Sequence, residues 1–407
     1  MLVALTLASW LVAASGSGLS DTGFVHAGRG DLGTNAHCPP VDLSTTYPIP
    51  DLATATASMK SLGSGGHPKG SSIYQRMHNP NVARFEQALA SLEGTNEAVA
   101  FASGMATLTA VVLAARTPSK KHIVGVRPLY GATDSLIGCG MLDVEVSWAT
   151  PDTVAKHIRD DTCLVLCESP ANPTCTIIDI AAVCAQAGGV PVVVDSTFGT
   201  PVLQQPTKLG ATMVVHSCTK AIGGHGDILG GVVACDAEWA QKIRRVRTLT
   251  GANLHPLAAY QLHRGLQTLP IRIRAAQLSA SEIATRLSKH ASVSRVHYPG
   301  ATGTAVDALV GAGKQMTGPG TMIAFDLVGG YEAARAMMGA VRLITPAVSL
   351  GTTDTLVQHP AGMTHTSLPQ DAKDAGGIGP GLIRLSVGLE DVEDIWDDLA
   401  QALDTTG

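Results

Sequence analysis

The sequence carries little charge. Only 15% of its 407 residues are Asp, Glu, Lys or Arg, and the formal net charge is −5. Neither a basic arm nor an acidic tail is present. Proteins that bind nucleic acids or anionic membranes present clustered Lys and Arg, so we expect neither kind of partner. Apolar residues make up 45% of the chain, which is typical of a globular protein with a large interior.

The pairings that would indicate disulfide or metal sites are also missing. The chain has 8 cysteines but no Cys-x-x-Cys pair, and it is too long for a disulfide scaffold. We interpret the cysteines as buried thiols, which favours a reducing, cytoplasmic location. The histidines and cysteine at His216, Cys218, His225, His359 and His365 lack the spacing of a structural zinc site. We therefore predict no metal.

No Lys or Arg precedes or interrupts the apolar residues 1–14, so the positive region of a secretory signal is missing. The segment is also shorter than the roughly 20 residues that span a bilayer. We expect it to pack on another subunit.

Two nucleotide-binding fingerprints are absent as well, the Walker Gly-Lys-Ser/Thr and the Gly-x-Gly-x-x-Gly of dinucleotide sites. These absences count against an NAD-dependent oxidoreductase. What the chain has instead is Ala102-Ser103-Gly104-Met105 between a predicted strand and a predicted helix. Backbone N–H groups at a helix start bind phosphate, and glycine allows a close approach.

The pattern of apolar runs divides the chain into three parts. Residues 1–79 form an irregular arm that includes a glycine-rich loop at 63–72. Residues 80–265 alternate between predicted strands and helices, and this regular alternation ends in residues 266–407. The alternation predicts a three-layer α/β domain built on a parallel sheet, and the last part predicts a smaller α+β domain. Strands are predicted at 98–101, 122–126, 163–167, 190–194, 212–215, 230–234, 322–327 and 382–387, and helices at 82–92, 105–116, 275–290 and 391–402.

Two of the predicted strands end on complementary chemical groups. The strand at 190–194 leads into Asp195, and the strand at 212–215 leads into Ser217, Thr219 and Lys220. A lysine can form a Schiff base with the aldehyde of pyridoxal phosphate (PLP), and an aspartate can keep the pyridine nitrogen protonated. The two hydroxyls add donors for a phosphate. The pattern indicates a PLP enzyme of amino-acid chemistry.

Two further residues have chemistry that suits such a site. Tyr130 follows a predicted strand, where its ring could stack on a pyridine and its phenol could carry a proton. Arg384 lies in the middle of a predicted strand between apolar residues. A guanidinium there needs a partner, and a substrate carboxylate and a structural salt bridge are equally acceptable ones.

The segments 195–201, 217–220 and 223–227 read Asp-Ser-Thr-Phe-Gly-Thr-Pro, Ser-Cys-Thr-Lys and Gly-Gly-His-Gly-Asp. Together they closely resemble the signature of the PLP enzymes of cysteine and methionine metabolism, a family that includes cystathionine γ-synthase, cystathionine γ-lyase, methionine γ-lyase and O-acetylhomoserine sulfhydrylase. The resemblance extends over nearly the whole chain. It implies the fold-type-I architecture of aspartate aminotransferase and a homotetramer made of two active dimers.

The resemblance also implies a set of roles. Lys220 would form the Schiff base, Asp195 would pair with the pyridine nitrogen, and Tyr130 would stack on the ring. The phosphate would be bound by Gly104, Met105, Ser217 and Thr219. Glu168 would lie beside the cofactor, and Asn172 would contact the ring hydroxyl. The neighbouring subunit's cofactor would be reached by Tyr74 and Arg76, and the substrate carboxylate would be bound by Ser349 and Arg384.

For the reaction we expect γ-replacement on a homoserine- or methionine-like amino acid, such as an O-acyl-homoserine or S-adenosylmethionine. It would use a nucleophilic co-substrate and pass through a vinylglycine-type intermediate. The alternative is a γ-lyase that degrades methionine or cystathionine to a 2-oxo acid, ammonia and a thiol. The segments 349–356 and 359–365 look most like methionine γ-lyase, but Ala132 stands where that enzyme has a reactive cysteine, and Arg247-Thr248 replaces its Lys-Asp pair. A catalytically silent protein that retains the fold is a further alternative.

Overall fold

The computed structural model of the protein describes residues 20–29, 36–300 and 305–406. The apolar segment 1–14, which we expect to pack on another subunit, lies outside these residues. Among the helices of the described ranges, none combines the length and the apolar character needed to span a bilayer.

The larger of two sheets has seven strands in the order β1-β7-β6-β5-β4-β2-β3. They are β1 (Glu97–Phe101), β2 (His122–Val126), β3 (Glu145–Ala149), β4 (Thr162–Glu168), β5 (Val192–Asp195), β6 (Met213–Ser217) and β7 (Gly231–Cys235). Strands β2 to β6 pair in parallel, but β7 is antiparallel to both of its neighbours. The prediction of a parallel sheet is therefore wrong at β7. Residues 218–230 contain no helix, and a parallel crossover usually requires one.

Helices cover both faces of this sheet. In chain order they begin with α1 (Asp21–His26), α2 (Leu52–Gly63), α3 (Pro80–Glu93), α4 (Gly104–Ala115), α5 (Gly131–Gly138), α6 (Val154–His157), α7 (Ile180–Gln186), α8 (Thr200–Leu203) and α9 (Ala237–Thr250). Successive residues of β1 point to opposite faces, as a strand requires. Ala98 and Ala100 pack with Phe85 of α3, whereas Val99 and Phe101 pack with α4 and α9. The result is the predicted three-layer arrangement.

The smaller sheet has five strands in the order β10-β11-β12-β9-β8. They are β8 (Val293–His297), β9 (Met322–Leu327), β10 (Thr345–Pro346), β11 (Leu356–Gln358) and β12 (Leu382–Ser386), and the remaining helices are α10 (Pro256–Leu287), α11 (Gly330–Ala340), α12 (Gln370–Ala375) and α13 (Val392–Leu403). Phe325 and Leu385 of the sheet and Leu399 of α13 share one buried cluster. This arrangement agrees with the α+β structure predicted for the last part of the chain.

Two helices differ from the sequence prediction. Helix α2 lies inside the predicted irregular arm, and it forms because Asp51 caps its start by accepting from the Thr54 N–H at 2.7 Å. Helix α10 begins at Pro256, well before the predicted start at residue 275. It continues past Pro270, because its buried face outweighs the local cost of that proline. The predicted domain boundary at residue 265 falls within α10, and the domain limits stay predictions.

The glycine-rich loop at 63–72 packs against α9. Arg244 donates to the Gly65 carbonyl at 2.6 Å. A Cβ atom on Gly65, whose φ is +87°, would lie 2.0 Å from the Gln241 carbonyl oxygen, so glycine is required there for both conformation and space.

Candidate active site

Four of the predicted residues gather at the carboxyl ends of the parallel strands. Tyr130 follows β2, Glu168 ends β4, Asp195 ends β5 and Lys220 follows β6. Glu168 and Asp195 are register partners on neighbouring strands. Ligands of open α/β sheets bind at this edge, because the loops that follow the strands converge there.

Lys220 is partly buried and contacts the C-terminal part of the chain. Its Nζ donates to Ser349 Oγ at 2.8 Å. Burial, and to a lesser degree the positive charge of Arg384, lowers the pKa of the Lys220 amine to about 8. A neutral amine is the nucleophilic form, so the environment of Lys220 favours reaction with an aldehyde near neutral pH.

The residues predicted to bind a phosphate lie where α4 meets the end of β6 and the start of β7. The backbone of Gly104 opens the helix against Ser217, and a Cβ on Gly104 would lie 3.2 Å from Ser217 Cβ. A Cβ on Gly231 would lie 2.5 Å from the Gly104 nitrogen. These close approaches bring the N–H groups of Gly104 and Met105, at the positive end of the helix, beside the Ser217 hydroxyl.

Thr219 lies on the loop between Ser217 and Lys220 and is held to the start of β7. Its hydroxyl accepts from the Gly230 N–H at 3.1 Å and lies 3.3 Å from the Gly230 carbonyl. The bond fixes the loop that carries Lys220 with respect to the sheet.

Asp195 is a carboxylate held by neutral donors. Its Oδ1 accepts from the Thr197 backbone N–H at 3.0 Å and from the Thr197 hydroxyl at 2.6 Å, and that hydroxyl in turn accepts from the Ser217 N–H at 2.9 Å. Burial raises the pKa of the Asp195 carboxyl, and the bonds to Thr197 oppose the shift. In the described part of the chain no cation forms an ion pair with it. A protonated pyridine nitrogen would supply one.

Glu168 is 5% exposed and bridges two loops. Its Oε2 accepts from the Tyr130 N–H at 2.6 Å, and its Oε1 accepts from the Asn172 N–H at 2.9 Å. Burial and the neighbouring charge of Asp195 raise the pKa of the Glu168 carboxyl well above its usual range.

Arg384, on β12, is 3% exposed and is surrounded by neutral acceptors. It donates to Asn172 Oδ1 at 2.8 Å and to the Ser349 carbonyl at 2.6 Å. The amide oxygen of Gln358, in the orientation that satisfies its neighbours, lies 2.8 Å from Nη1. Burial lowers the pKa of Arg384 to about 10. Over the described residues it forms no salt bridge, which favours the substrate carboxylate as its partner.

Ser349 joins the two parts of the site. It contacts Lys220 through its hydroxyl and Arg384 through its carbonyl. Its φ is +100°, a value that costs a non-glycine residue about 1–3 kcal/mol. The surrounding contacts maintain this strained backbone, as is common at functional sites.

Three contacts of the site were not predicted from the sequence. They are made by Thr197, by Gln358 and by His365, which lies next to Tyr130. His365 is fully buried, its ring lies edge-on to the Tyr130 ring at a centroid distance of 6.3 Å, and burial lowers its pKa to about 4. Thr197, two residues after Asp195, has the spacing of a local side-chain bond and could have been found. Contacts of Gln358 and His365 depend on the tertiary fold and leave no local signal.

Tyr74 and Arg76 are not brought to Lys220 within the described chain. The Arg76 guanidinium lies 5.6 Å from the Tyr74 ring centroid and donates to the Thr248 carbonyl, while the Arg76 carbonyl accepts from Asn253 at 2.7 Å. Tyr74 is 43% exposed. Their predicted role in a neighbouring subunit's site stays a prediction.

The residues at the strand ends fit PLP. An amine with a lowered pKa matches its aldehyde. A carboxyl group that, within the described residues, has neutral donors but no cation matches its pyridine nitrogen. A helix start whose glycine packs closely against Ser217 matches its phosphate. Lys220, Asp195 and Gly104 supply these three features.

Comparison with known proteins agrees with this fit. The family model described as "Cys/Met metabolism PLP-dependent enzyme" matches residues 21–404. The "L-methionine gamma-lyase" of Brevibacterium aurantiacum is 51% identical over 389 residues, covering 95% of this chain and 94% of the relative. The enzyme of the same name from Streptomyces avermitilis is 50% identical over 387 residues, covering 95% and 89%.

Among solved structures, cystathionine gamma synthase from Xanthomonas oryzae pv. oryzae, in complex with aminoacrylate and cysteine, superimposes with a TM-score of 0.86. The identity is 34%, and the match covers 95% of this chain and 98% of that one. The predicted fold class and cofactor are thereby confirmed. For the reaction, the relatives at about half identity support the γ-lyase alternative better than γ-replacement.

Proposed function

Because the chain belongs to the PLP-dependent enzymes of cysteine and methionine metabolism, we propose that it is a methionine γ-lyase. The reaction consumes L-methionine and water and releases methanethiol, 2-oxobutanoate and ammonia. One observation carries the amino-acid part of this proposal. Ser349 contacts both Lys220 and Arg384, so a site for an amine and a site for a carboxylate lie on either side of one residue. The choice of methionine rests on the similarity to the two lyases.

The chain's own residues have distinct tasks. When bound, PLP supplies an aldehyde for the substrate amine and a ring that withdraws electrons from Cα and Cβ. Asp195 holds the pyridine nitrogen, and the start of α4 with Ser217 holds the phosphate. Arg384 binds the α-carboxylate of the substrate in the orientation that Asn172, Gln358 and the Ser349 carbonyl impose.

Proton transfer is assigned to Lys220 and Tyr130. The Lys220 amine, neutral above about pH 8, takes the proton from Cα and returns it later. The Tyr130 phenol donates a proton to the leaving sulfur, because a thiolate is a basic leaving group and departs more easily as a thiol. Both residues stand at the same edge of the larger sheet.

A direct test incubates the PLP-loaded protein with L-methionine alone. We expect methanethiol, 2-oxobutanoate and ammonia in equal amounts, and no product from the matched variant Lys220→Ala. Absence of 2-oxobutanoate from wild type would overturn the proposal.

The second candidate is γ-replacement, favoured by Ala132, which stands in the first turn of α5 close to Tyr130. It is tested by adding ethanethiol and searching for S-ethylhomocysteine by mass spectrometry. γ-Replacement is the better assignment if that product forms while methionine alone yields nothing.

For the assembly we propose a homotetramer of two active dimers in which Tyr74 and Arg76 complete the partner's phosphate site. Supporting this, Tyr74 is exposed and Arg76 lies away from Lys220 in its own chain. The arm also carries exposed apolar side chains, at Leu43, Ile49 and Leu52. Light scattering should give roughly four times 41.8 kDa.

Mixing subunits tests the shared site. Inactive Lys220→Ala and inactive Arg76→Ala proteins, unfolded together and refolded, should regain about a quarter of wild-type activity, since one native site forms in each mixed dimer. Activity that stays at the level of the separate variants would exclude a shared site.

We also propose a cytoplasmic location. The described cysteines are all free thiols, which suits a reducing compartment. Cell fractionation, followed by assay of each fraction, tests this assignment.

A further inference from the structure

A continuous series of hydrogen bonds links the two proton-carrying residues. The Tyr130 N–H donates to Glu168, which also accepts from the Asn172 N–H. The Asn172 side chain then accepts from Arg384, which donates to the Ser349 carbonyl. Ser349 finally accepts from Lys220 at 2.8 Å. Within this series, Glu168 is the residue that contacts Tyr130.

The bridge made by Glu168 uses both oxygens of one carboxylate, at 2.6 Å and 2.9 Å from two backbone nitrogens. The loops they belong to follow different strands, β2 and β4. Because Glu168 is 5% exposed, water cannot easily replace either bond. A glutamine in its place would turn an N–H group toward one of the two backbone N–H donors, and an aspartate would be one methylene too short to reach both.

The Tyr130 backbone is bound on two sides. It occupies the N-cap position of α5, where its carbonyl accepts from the Thr133 and Asp134 N–H groups at 2.9 Å and 3.0 Å, and it makes no side-chain capping bond. Its own N–H donates to Glu168, and this bond ties the start of α5 to the loop after β4. His365 packs edge-on against the ring.

Lys220, in contrast, is fixed without Glu168. Its N–H donates to the Ser217 carbonyl at 3.2 Å, its carbonyl accepts from the Gly224 N–H at 2.8 Å, and its amine contacts Ser349. Loss of the Glu168 bridge would therefore displace Tyr130 and leave Lys220 in place.

We propose that Glu168 is a positioning residue that holds Tyr130 in register with Lys220, so that protonation of the leaving group, but not removal of the Cα proton, depends on it. This inference rests on the proposed function. It assigns Glu168 to the orientation of two loops, where the family resemblance implied only a location beside the cofactor.

The test compares a basic with a weakly basic leaving group. L-Methionine must release a thiol, whereas O-acetyl-L-homoserine releases acetate, which needs no proton. Glu168→Gln should lower the turnover of methionine about 100-fold and that of O-acetyl-L-homoserine less than about fivefold. Solvent deuterium exchange at Cα of L-norleucine, which has no γ leaving group and reports on Lys220, should stay within about threefold of wild type.

Two further variants keep the test decisive. Glu168→Asp retains a carboxyl group but reaches only one loop. It should show the same dependence on the leaving group if Glu168→Gln does not fold. In a Tyr130→Phe background, Glu168→Gln should add less than about a threefold loss, because both changes remove the same contribution. Losses that multiply would overturn the inference.

Asp398→Asn is the matched control. Asp398 is also a buried carboxylate that accepts backbone N–H groups, from Arg342, Leu343 and Ile344 at 2.8 Å each, but it lies on α13. This variant should lower the unfolding temperature of the apo-protein and leave the ratio of the two substrate rates unchanged.

Readouts other than activity separate positioning from a general structural defect. Equilibrium dialysis of PLP should show affinity weakened about tenfold or less in Glu168→Gln, through the shifted Tyr130 and Asn172, with the apo-protein still folding cooperatively. Equal losses with both substrates and in Cα exchange would mean that Glu168 is only structural. If the wild-type protein releases no methanethiol from methionine, the proposed function is wrong. The role of Glu168 is still tested in that case, by turnover of O-acetyl-L-homoserine and by deuterium exchange at Cα of norleucine.

Discussion

The two sheets bury acidic and basic side chains at the site, and within the described residues neither kind forms an ion pair. The larger sheet presents Glu168 and Asp195, which are held by neutral N–H and O–H donors. The smaller sheet presents Arg384, which is held by neutral carbonyl and amide oxygens. A buried charge is costly unless an opposite charge meets it. Each region is therefore complementary to a different part of the ligand, one to a cationic ring and the other to a carboxylate.

Several buried charges away from the site are paired directly. Arg247 forms an ion pair with Glu86, and Arg127 forms one with Asp134 at 2.7 Å. The ring of His216, on β6, likewise lies 2.6 Å from a carboxyl oxygen of Glu93, the last residue of α3. The contrast shows that burial alone does not mark function in this protein. Asp398, away from the site, is also held only by neutral donors. What distinguishes the site is that acidic and basic side chains are buried near one another with only neutral partners.

Removal of Lys220, which the smaller sheet contacts through Ser349, should have the largest effect. Lys220→Ala should reduce 2-oxobutanoate release from methionine at least about 10⁴-fold, because both the nucleophilic amine and the Cα base are lost. Borohydride reduction should leave no PLP attached to the variant. Lys208→Ala, which removes an exposed lysine, should behave as wild type. Borohydride-stable cofactor on the Lys220 variant would show that another residue forms the bond.

Next in size is a change on the cofactor side of the comparison. Asp195→Asn keeps the shape but removes the charge that stabilises a protonated ring nitrogen, so we expect kcat to fall about 10²–10³-fold and PLP to bind more weakly. The KM for methionine should change by less than about fivefold. A pure KM effect would mean that Asp195 serves the substrate, and the division between the two sheets would fail.

A change on the substrate side should give the converse result. Arg384→Gln removes a buried cation and should raise the KM for methionine about 100-fold, while PLP affinity changes little. Equilibrium dialysis of PLP and steady-state kinetics on the same preparation separate the two. If the variant loses PLP and methionine affinity equally, Arg384 supports the fold more than it binds the carboxylate.

The smallest expected effect concerns coupling between the regions through Lys220. Its amine, with a pKa of about 8, is protonated and unreactive below that pH, so the rate of PLP uptake by the apo-protein should rise with pH through a midpoint near 8. Since the folded pKa lies below the ordinary value of 10.5, burying the charged amine destabilises the apo-protein below about pH 8. This destabilisation is relieved as pH rises from about 8 to 10.5.

Arg384→Gln should move that midpoint upward, because it removes a positive neighbour that lowers the pKa. Stopped-flow absorbance at a series of pH values measures it. An unchanged midpoint would show that burial alone sets the pKa of Lys220.

Several features of the fold could be predicted because they are local. The bounds of β2 and β9 agree with the predicted 122–126 and 322–327, since uninterrupted apolar runs of this length identify buried strands. The direction of β7 and the start of α10 were predicted wrongly. Pairing direction depends on the connection between strands, and the length of a helix depends on what its far end packs against.

The sequence by itself determined the chemistry that is contiguous in the chain: the lysine after one buried strand, the aspartate after another, and the glycine at a helix start. These follow from short-range spacing and from the burial of apolar strands. Only the tertiary structure decided which groups meet. Ser349 lies 129 residues from Lys220 and Tyr130 lies 38 residues from Glu168, and such bonds form only because the order of the strands brings distant loops to one edge of the sheet.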